Sequence, residues 1–157
     1  MDRIDRKILA ELQLDATTPV AELAHRVGLS ATPCWKRIRK LEDAGVIVRR
    51  TAIVDPARVG LSLCAFIEIT ALDHTADWRD RFLATVQKMP EIMEVFRMAG
   101  ETDYLLRIIA PDMACFNRLY RDLSETLPCK SIVSKFVMET MHVATMLPIA
   151  AERADLP

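Results

Sequence analysis

Between Pro19 and Arg50 the sequence PVAELAHRVGLSATPCWKRIRKLEDAGVIVRR admits few folds, because an apolar stripe stops at a glycine and resumes, three residues on, in a basic register. Val20, Leu23, Ala24 and Val27 recur at the spacing of one helix face. Gly28 ends that helix where a left-handed residue is needed. Ser30 then stands at the N-cap of a second helix whose core stripe is Cys34, Ile38 and Leu41. At about 100° per residue the opposite face carries Thr32, Lys36 and Arg39, flanked by Trp35 and Lys40. A helix exposed in this way suits a DNA major groove, where Arg and Lys reach base acceptors or phosphates and a Ser or Thr hydroxyl bonds either. Taken alone, the same residues also describe a solvated basic face on a helical hairpin.

The residues after that helix favour DNA. Beyond Gly45, Val46-Ile47-Val48 runs into Arg49 and Arg50 and then Thr51-Ala52-Ile53-Val54, a pattern that predicts a short strand pair, or wing, beside the second helix. From Ser30 to Arg50 six Lys/Arg face only Glu42 and Asp43. The whole chain is nearly neutral, with a formal net charge of −1, but the charge is segregated: residues 1 to 60 carry 11 Lys/Arg against 8 Asp/Glu, and the remainder 10 against 14. A basic module is therefore joined to an acidic one. Hydrophobic content of 51% with 27% charged residues excludes a disordered chain.

No apolar run approaches the roughly 20 residues that span a bilayer, and Met1-Asp2-Arg3 leads into an amphipathic helix, so a cytoplasmic location is expected. Cys34, Cys64, Cys115 and Cys129 have no C-x-x-C spacing and form no ligand cluster with His25, His74 or His142, which speaks against zinc, other metals and a disulfide framework. Buried small side chains are the plainer account of the cysteines. Cys129, in the loop Leu127-Pro128-Cys129-Lys130, is the one candidate for an exposed, reactive thiol.

Ile4, Ile8, Leu9 and Leu12 mark an opening helix that ends near Asp15. Residues 1–54 then make a winged helix-turn-helix, and Pro56 and Gly60 mark a linker over 55–62. Residues 63–149 read as strand, helix, strand, strand, helix, strand: Leu63 to Leu72, a helix on Trp78, Phe82 and Val86, strands Ile92 to Ala99 and Tyr104 to Ala110 around Gly100-Glu101-Thr102-Asp103, a helix on Phe116, Leu119, Tyr120 and Leu123, and a long last strand from Ile132 to Val143. Residues 150–157 are left as a tail. The fold class is α+β, with a ferredoxin-like βαββαβ unit whose helices share one face of an antiparallel sheet. Ala65, Ile67, Ile69 and Ala71 fall on one side of the first strand and Cys64 and Phe66 on the other, while Val133, Val137 and Met141 oppose Ile132, Phe136 and Met138. Two helices cover only one such face. The other is expected to pack on a second copy, giving a homodimer with two recognition helices for a palindromic site.

The Asp2-x-x-Asp5-x-x-Ile8-Leu9 helix, Ala24-x-x-Val27-Gly28-Leu29-Ser30, Arg37-Ile38 with Leu41-Glu42 and Gly45-Val46-Ile47, and the hairpin Gly100-x-x-Asp103-Tyr104 together resemble the Lrp/AsnC family of leucine-responsive and asparagine-synthesis regulators. The resemblance covers about residues 1 to 149. It implies an N-terminal winged helix-turn-helix, an effector-binding and oligomerisation domain, dimers and often octamers of four dimers, and a small amino-acid effector bound between subunits near Gly100 to Tyr104. Thr32 to Arg37 and Arg97 to Tyr104 further resemble a branch that includes regulators responding to cysteine. Where family members often carry glycine after the proline of the last loop, this chain has Cys129-Lys130.

The expected DNA contacts are Ser30, Thr32, Trp35, Lys36, Arg39 and Lys40, with Arg49 and Arg50 on wing phosphates. Arg37, about 60° from the core stripe, is as well placed for a salt bridge inside the module. The expected effector contacts are Met98, Gly100, Thr102, Asp103 and Tyr104. Gly100 admits close approach to backbone N–H groups for a carboxylate, Asp103 pairs with an α-ammonium and Thr102 offers a hydroxyl. A plain β-turn with Asp103 bonded to backbone is the alternative. No cofactor is expected. Two other functions stand beside an amino-acid-responsive transcriptional regulator: an architectural DNA-wrapping protein without an effector, and an enzyme or its regulatory subunit. For catalysis the sequence offers no Gly-rich phosphate loop, metal cluster or nucleophile with a nearby base.

Overall fold

A reciprocal pair of aspartates fixes the first helix: the Asp5 N–H donates to Asp2 and the Asp2 N–H to Asp5, each at 2.9 Å. This is a capping box with Asp at both positions, and it starts α1 (Arg3–Leu14). In the computed structural model, which describes residues 1–149, α2 (Val20–Val27) ends at Gly28 with φ 77°, and α3 (Ala31–Asp43) follows. Ser30 is the N-cap residue of α3, yet its side chain makes no capping hydrogen bond, so the expected cap is positional only. Ile8, Leu23, Ala24, Val27, Cys34, Ile38 and Leu41 interlock as the helical core.

The wing is not formed as a strand pair. Residues 46–54 contain no strand; the Val46 and Ile47 N–H groups both turn back to the Leu41 carbonyl, and beyond them the chain is irregular, with Val48 86% exposed. The physical reason lies in the turn. Nothing between Val46 and Val54 is Gly, Asn, Asp or Pro, so the β-branched run has no residue that reverses it into a hairpin.

The chain divides into two compact units, and the first of them takes in more than the N-terminus: Met1–Ile53 is joined by the segment from Met141 onward, leaving Val54–Thr140 as the second. The Gln13 side chain fastens this return. Its carbonyl oxygen accepts from the Leu147 N–H at 2.7 Å and its amide donates to the Leu147 carbonyl at 3.3 Å, while Ile149 packs on the helical core. The tail predicted over 150–157 lies outside the described residues.

The second unit is a four-stranded antiparallel sheet in the order β2-β3-β1-β4, from β1 (Leu63–Ala71), β2 (Ile92–Arg97), β3 (Tyr104–Ala110) and β4 (Cys129–Phe136). Helices α4 (Ala76–Val86) and α5 (Met113–Thr126) supply Trp78, Phe82, Phe116, Leu119 and Leu123 to one core with Ala65, Ile67, Ile69, Leu106 and Ile108. The Trp78 indole N–H donates to the Pro128 carbonyl at 2.8 Å, satisfying the polar end of the buried ring. On the opposite face Phe66 sits between Arg107 and Lys135 in register. That face also carries ion pairs Arg107–Glu94 and Lys135–Glu68, so it is amphipathic rather than wholly apolar.

The last strand is shorter and earlier than the expected Ile132 to Val143. It starts at Cys129 and stops at Phe136, because its partner β1 begins at Leu63: Phe136 already pairs with Ala65, and the Val137 N–H makes a final bond to the Cys64 carbonyl at 3.0 Å. Met138 and Met141 therefore lie outside the ladder and exposed. Cys129 opens that strand, half-buried against the core, and burial pushes its thiol pKa up; the expectation of an exposed, reactive thiol does not hold.

Candidate DNA interface and effector site

Packing alone orients α3. Cys34, Ile38 and Leu41 are 5% exposed or less, which turns Thr32, Trp35, Lys36, Arg39 and Lys40 outward on the other side, with exposed Ser30 at its start. Lys36 and Lys40 have no ion-pair partner among the described residues. The Arg39 guanidinium carbon sits 5.6 Å from the Trp35 ring centre, a cation–π geometry, and its Nη1 lies 3.2 Å from Glu42. Arg37 takes the internal role: one guanidinium nitrogen bonds Asp2 at 2.6 Å and Asp5 at 2.7 Å. Helix α3 is thus tied to the capping box of α1, and this use of Asp2 and Asp5 was legible only as a motif.

Arg49 and Arg50 differ. Arg49 is exposed, whereas Arg50 lies 3.2 Å from Glu42 and donates to the Ala16 carbonyl at 3.4 Å. A cavity of about 710 Å³ opens beside them, lined by Arg6, Leu9, Val48, Ile53 and Leu147 among others, all within the first unit.

In the second unit Gly100 has φ 124°, in the region that favours glycine, and no atom stands within 4 Å of where a Cβ would be. Among the described residues the N–H groups of Gly100, Glu101 and Thr102 make no hydrogen bond. The hairpin is braced onto the end of β1: the Asp103 N–H donates to the Ile69 carbonyl at 3.0 Å, the Ala71 N–H donates to Asp103 Oδ2 at 2.8 Å, and the Thr70 hydroxyl donates to the Glu101 carbonyl at 3.2 Å. Asp103 Oδ1 lies 3.9 Å from His74 Nδ1. Sequence reasoning missed both Ala71 and His74, since no local pattern links positions about thirty residues apart. Met98 is 43% exposed beside the turn and Thr102 is half-buried. Tyr104, by contrast, sends its ring into the core, 4.4 Å from Phe82 and 5.5 Å from Trp78. Among the described residues no three His, Cys, Asp or Glu side chains come together as metal ligands, and no helix is long and apolar enough to cross a membrane.

Two family models match this layout: a winged helix-turn-helix DNA-binding model over residues 1–48 and the Lrp/AsnC ligand binding domain over residues 64–147. The chain is 43% identical over 150 residues to the DNA-binding transcriptional activator DecR of Escherichia coli, covering 95% of this chain and 99% of that protein. Among solved structures, an AsnC family transcriptional regulator from Agrobacterium tumefaciens is 44% identical with a TM-score of 0.89, covering 95% of this chain and 97% of its own. A transcriptional regulator from Neisseria meningitidis, solved as an L-Met complex, is 37% identical with the same TM-score and coverage.

Proposed function

The chain belongs to the Lrp/AsnC family of transcriptional regulators, with a DNA-binding helix-turn-helix and a ligand-binding domain, and on that footing we propose which of its residues do the work. Helix α3 enters the major groove with Ser30, Thr32, Trp35, Lys36, Arg39 and Lys40, while Arg49 and Arg50 reach flanking phosphates. The observation that carries this is the division of α3 into a buried stripe and an exposed basic face within a single rigid helix. Two copies pair through the open face of the sheet around Phe66, as the two-fold symmetry of a regulator's site requires, and the protein works in the cytoplasm as a sensor rather than a catalyst.

The effector is a free α-amino acid. Its carboxylate is received by the unpaired N–H groups of Gly100, Glu101 and Thr102, consecutive donors in a turn where Gly100 has a positive φ. Its ammonium meets Asp103 Oδ1, the oxygen not committed to Ala71. Met98 and Thr102 flank the ligand, and Tyr104 contributes its backbone and the wall its ring supports. Binding of L-Met by the Neisseria relative favours this class of ligand.

Alanine at Lys36 and at Arg39 tests the DNA half. Arg39→Ala costs roughly 1 to 3 kcal/mol if the guanidinium reads a base, and relaxes sequence preference at that position. Operator affinity untouched in both variants would take α3 out of the groove.

A further inference from the structure

One carboxylate stands inside the basic surface. Glu42, near the end of α3, bridges two arginines: its Oε2 lies 3.2 Å from Arg39 Nη1 on the same helix, and its Oε1 lies 3.2 Å from Arg50 Nη2 on the segment that follows. Its side chain is 27% exposed, against 60% for Arg39 and 43% for Arg50, so the acid is the more buried member of both pairs. Each arginine has a second restraint: Trp35 lies under the Arg39 guanidinium, and the Ala16 carbonyl accepts from Arg50. Lys36, Lys40 and Arg49 have no such partner among the described residues.

We propose that Glu42 is a specificity-positioning residue, which holds Arg39 away from adventitious phosphate contacts and sets a cost on the phosphate contact of Arg50 that a true site, with its added base contact, repays and random DNA does not. This rests on the reading of α3 as the recognition helix. A flexible arginine gains affinity for any duplex by releasing counterions, without regard to sequence. An arginine already paired gives up that pair to reach a phosphate, and the return is small. A guanine presents O6 and N7 to the guanidinium together, a bidentate contact that a pre-oriented Arg39 makes with little further ordering. Glu42 therefore weakens all binding, and weakens random binding more.

Glu42→Gln removes the charge and keeps the length. Fluorescence anisotropy of the full chain is measured on a random-sequence duplex and on the best duplex that the wild type selects from a randomised pool. With two arginines freed in each subunit, the slope of log affinity against log salt on the random duplex steepens by up to about 1.8 per subunit engaged, about 3.6 for a dimer, and the affinity lost between about 50 and 200 mM salt grows by roughly tenfold per subunit. Random binding at low salt tightens more than selected binding, so their ratio falls. Glu42→Asp keeps the charge but shortens the reach, and is expected to give a smaller change of the same sign; it carries the test if Glu42→Gln melts early. An unchanged slope and ratio in a folded variant overturns the proposal. So does a gain that persists when Glu42→Gln is placed on an Arg39→Gln/Arg50→Gln background, since Glu42 would then be repelling DNA directly. Lys36→Ala and Arg39→Ala separate this from the underlying reading: selected-site affinity lost in either of them, with Glu42→Gln inert, defeats the positioning role alone, whereas both alanine variants inert defeats the placement of α3.

Discussion

Asp103→Asn separates two jobs that one side chain holds. In the wild type Oδ2 accepts the Ala71 N–H at 2.8 Å while Oδ1 lies 3.9 Å from His74 Nδ1, and the side chain is 23% exposed. Asparagine keeps an acceptor for Ala71 and places an NH₂ where the second oxygen was. The brace therefore changes from a charged to a neutral acceptor, a loss of about 1 kcal/mol, which for a domain of roughly 60 to 100 residues lowers the melting temperature by roughly 4 to 8 °C. The effector suffers more, because a donor now meets its ammonium and a charge-assisted bond of about 1.5 to 3 kcal/mol disappears. That is about 10 to 150-fold in affinity. A thermal-shift screen of the twenty amino acids identifies the ligand, since saturation at about 100 times Kd adds about 2.7 kcal/mol. Isothermal titration of wild type and variant, well below either melting temperature, then gives the ratio. Wild-type affinity in a variant that melts early would leave Asp103 as a brace only and move the ammonium site elsewhere.

Phe66→Asp tests self-association: the new carboxylate is flanked in register by Arg107 and Lys135, cations it shares with Glu94 and Glu68, on a half-buried position of an isolated subunit, so the paired state is expected to be lost in sedimentation at a smaller cost to the fold. An unaltered oligomer would place the interface on another face. Acid tests the capping box. The Asp5 N–H and then Arg37 hold the Asp2 carboxyl below its usual range, so its stabilisation is complete above about pH 4 and is lost as pH falls through the lowered value; melting the chain between about pH 6 and pH 3 should show this loss, and Arg37→Gln should make it shallower. A melting curve of equal acid sensitivity in Arg37→Gln would exclude the ion pair as its source.

The range of each interaction decides whether the sequence discloses it. The stripe ending at Gly28 and the register Cys34-Ile38-Leu41 are set within a turn or two, and the helices fall where that periodicity puts them. Tyr104 was also legible: it alternates with Leu106 and Ile108, and its ring joins them inside, although its place in the hairpin suggested a ligand contact. The failures are non-local. A β-branched run after Gly45 predicts strands, but a strand needs a partner and a turn to bring it, and neither is encoded between Val46 and Val54. The end of β4 is decided by where β1 begins, far earlier in the chain. Gln13 meeting Leu147, and Ala71 meeting Asp103, leave no trace in spacing at all.

The two candidate sites are built from different materials, and that governs how each responds to substitution. The proposed DNA face consists of exposed side chains on a helix, so truncating any one of them is expected to remove its contact and leave α3 in place. The effector hairpin consists mainly of backbone N–H groups, held open by a glycine with positive φ and by a carboxylate that reaches across to β1. Alanine scanning would map the first and pass over much of the second, because removing the Glu101 or Thr102 side chain leaves its N–H where it was. The informative change there acts on the backbone. Gly100→Val asks a β-branched residue to take φ 124°, a region it resists, although no atom within 4 Å would obstruct its Cβ. Gly100→Ala, which adds only that unobstructed Cβ, serves as the control for the bulk of valine: a loss of effector affinity shared by both variants, measured by the same titration, reports the shape of the turn itself, and unchanged affinity in both would place the carboxylate away from these N–H groups.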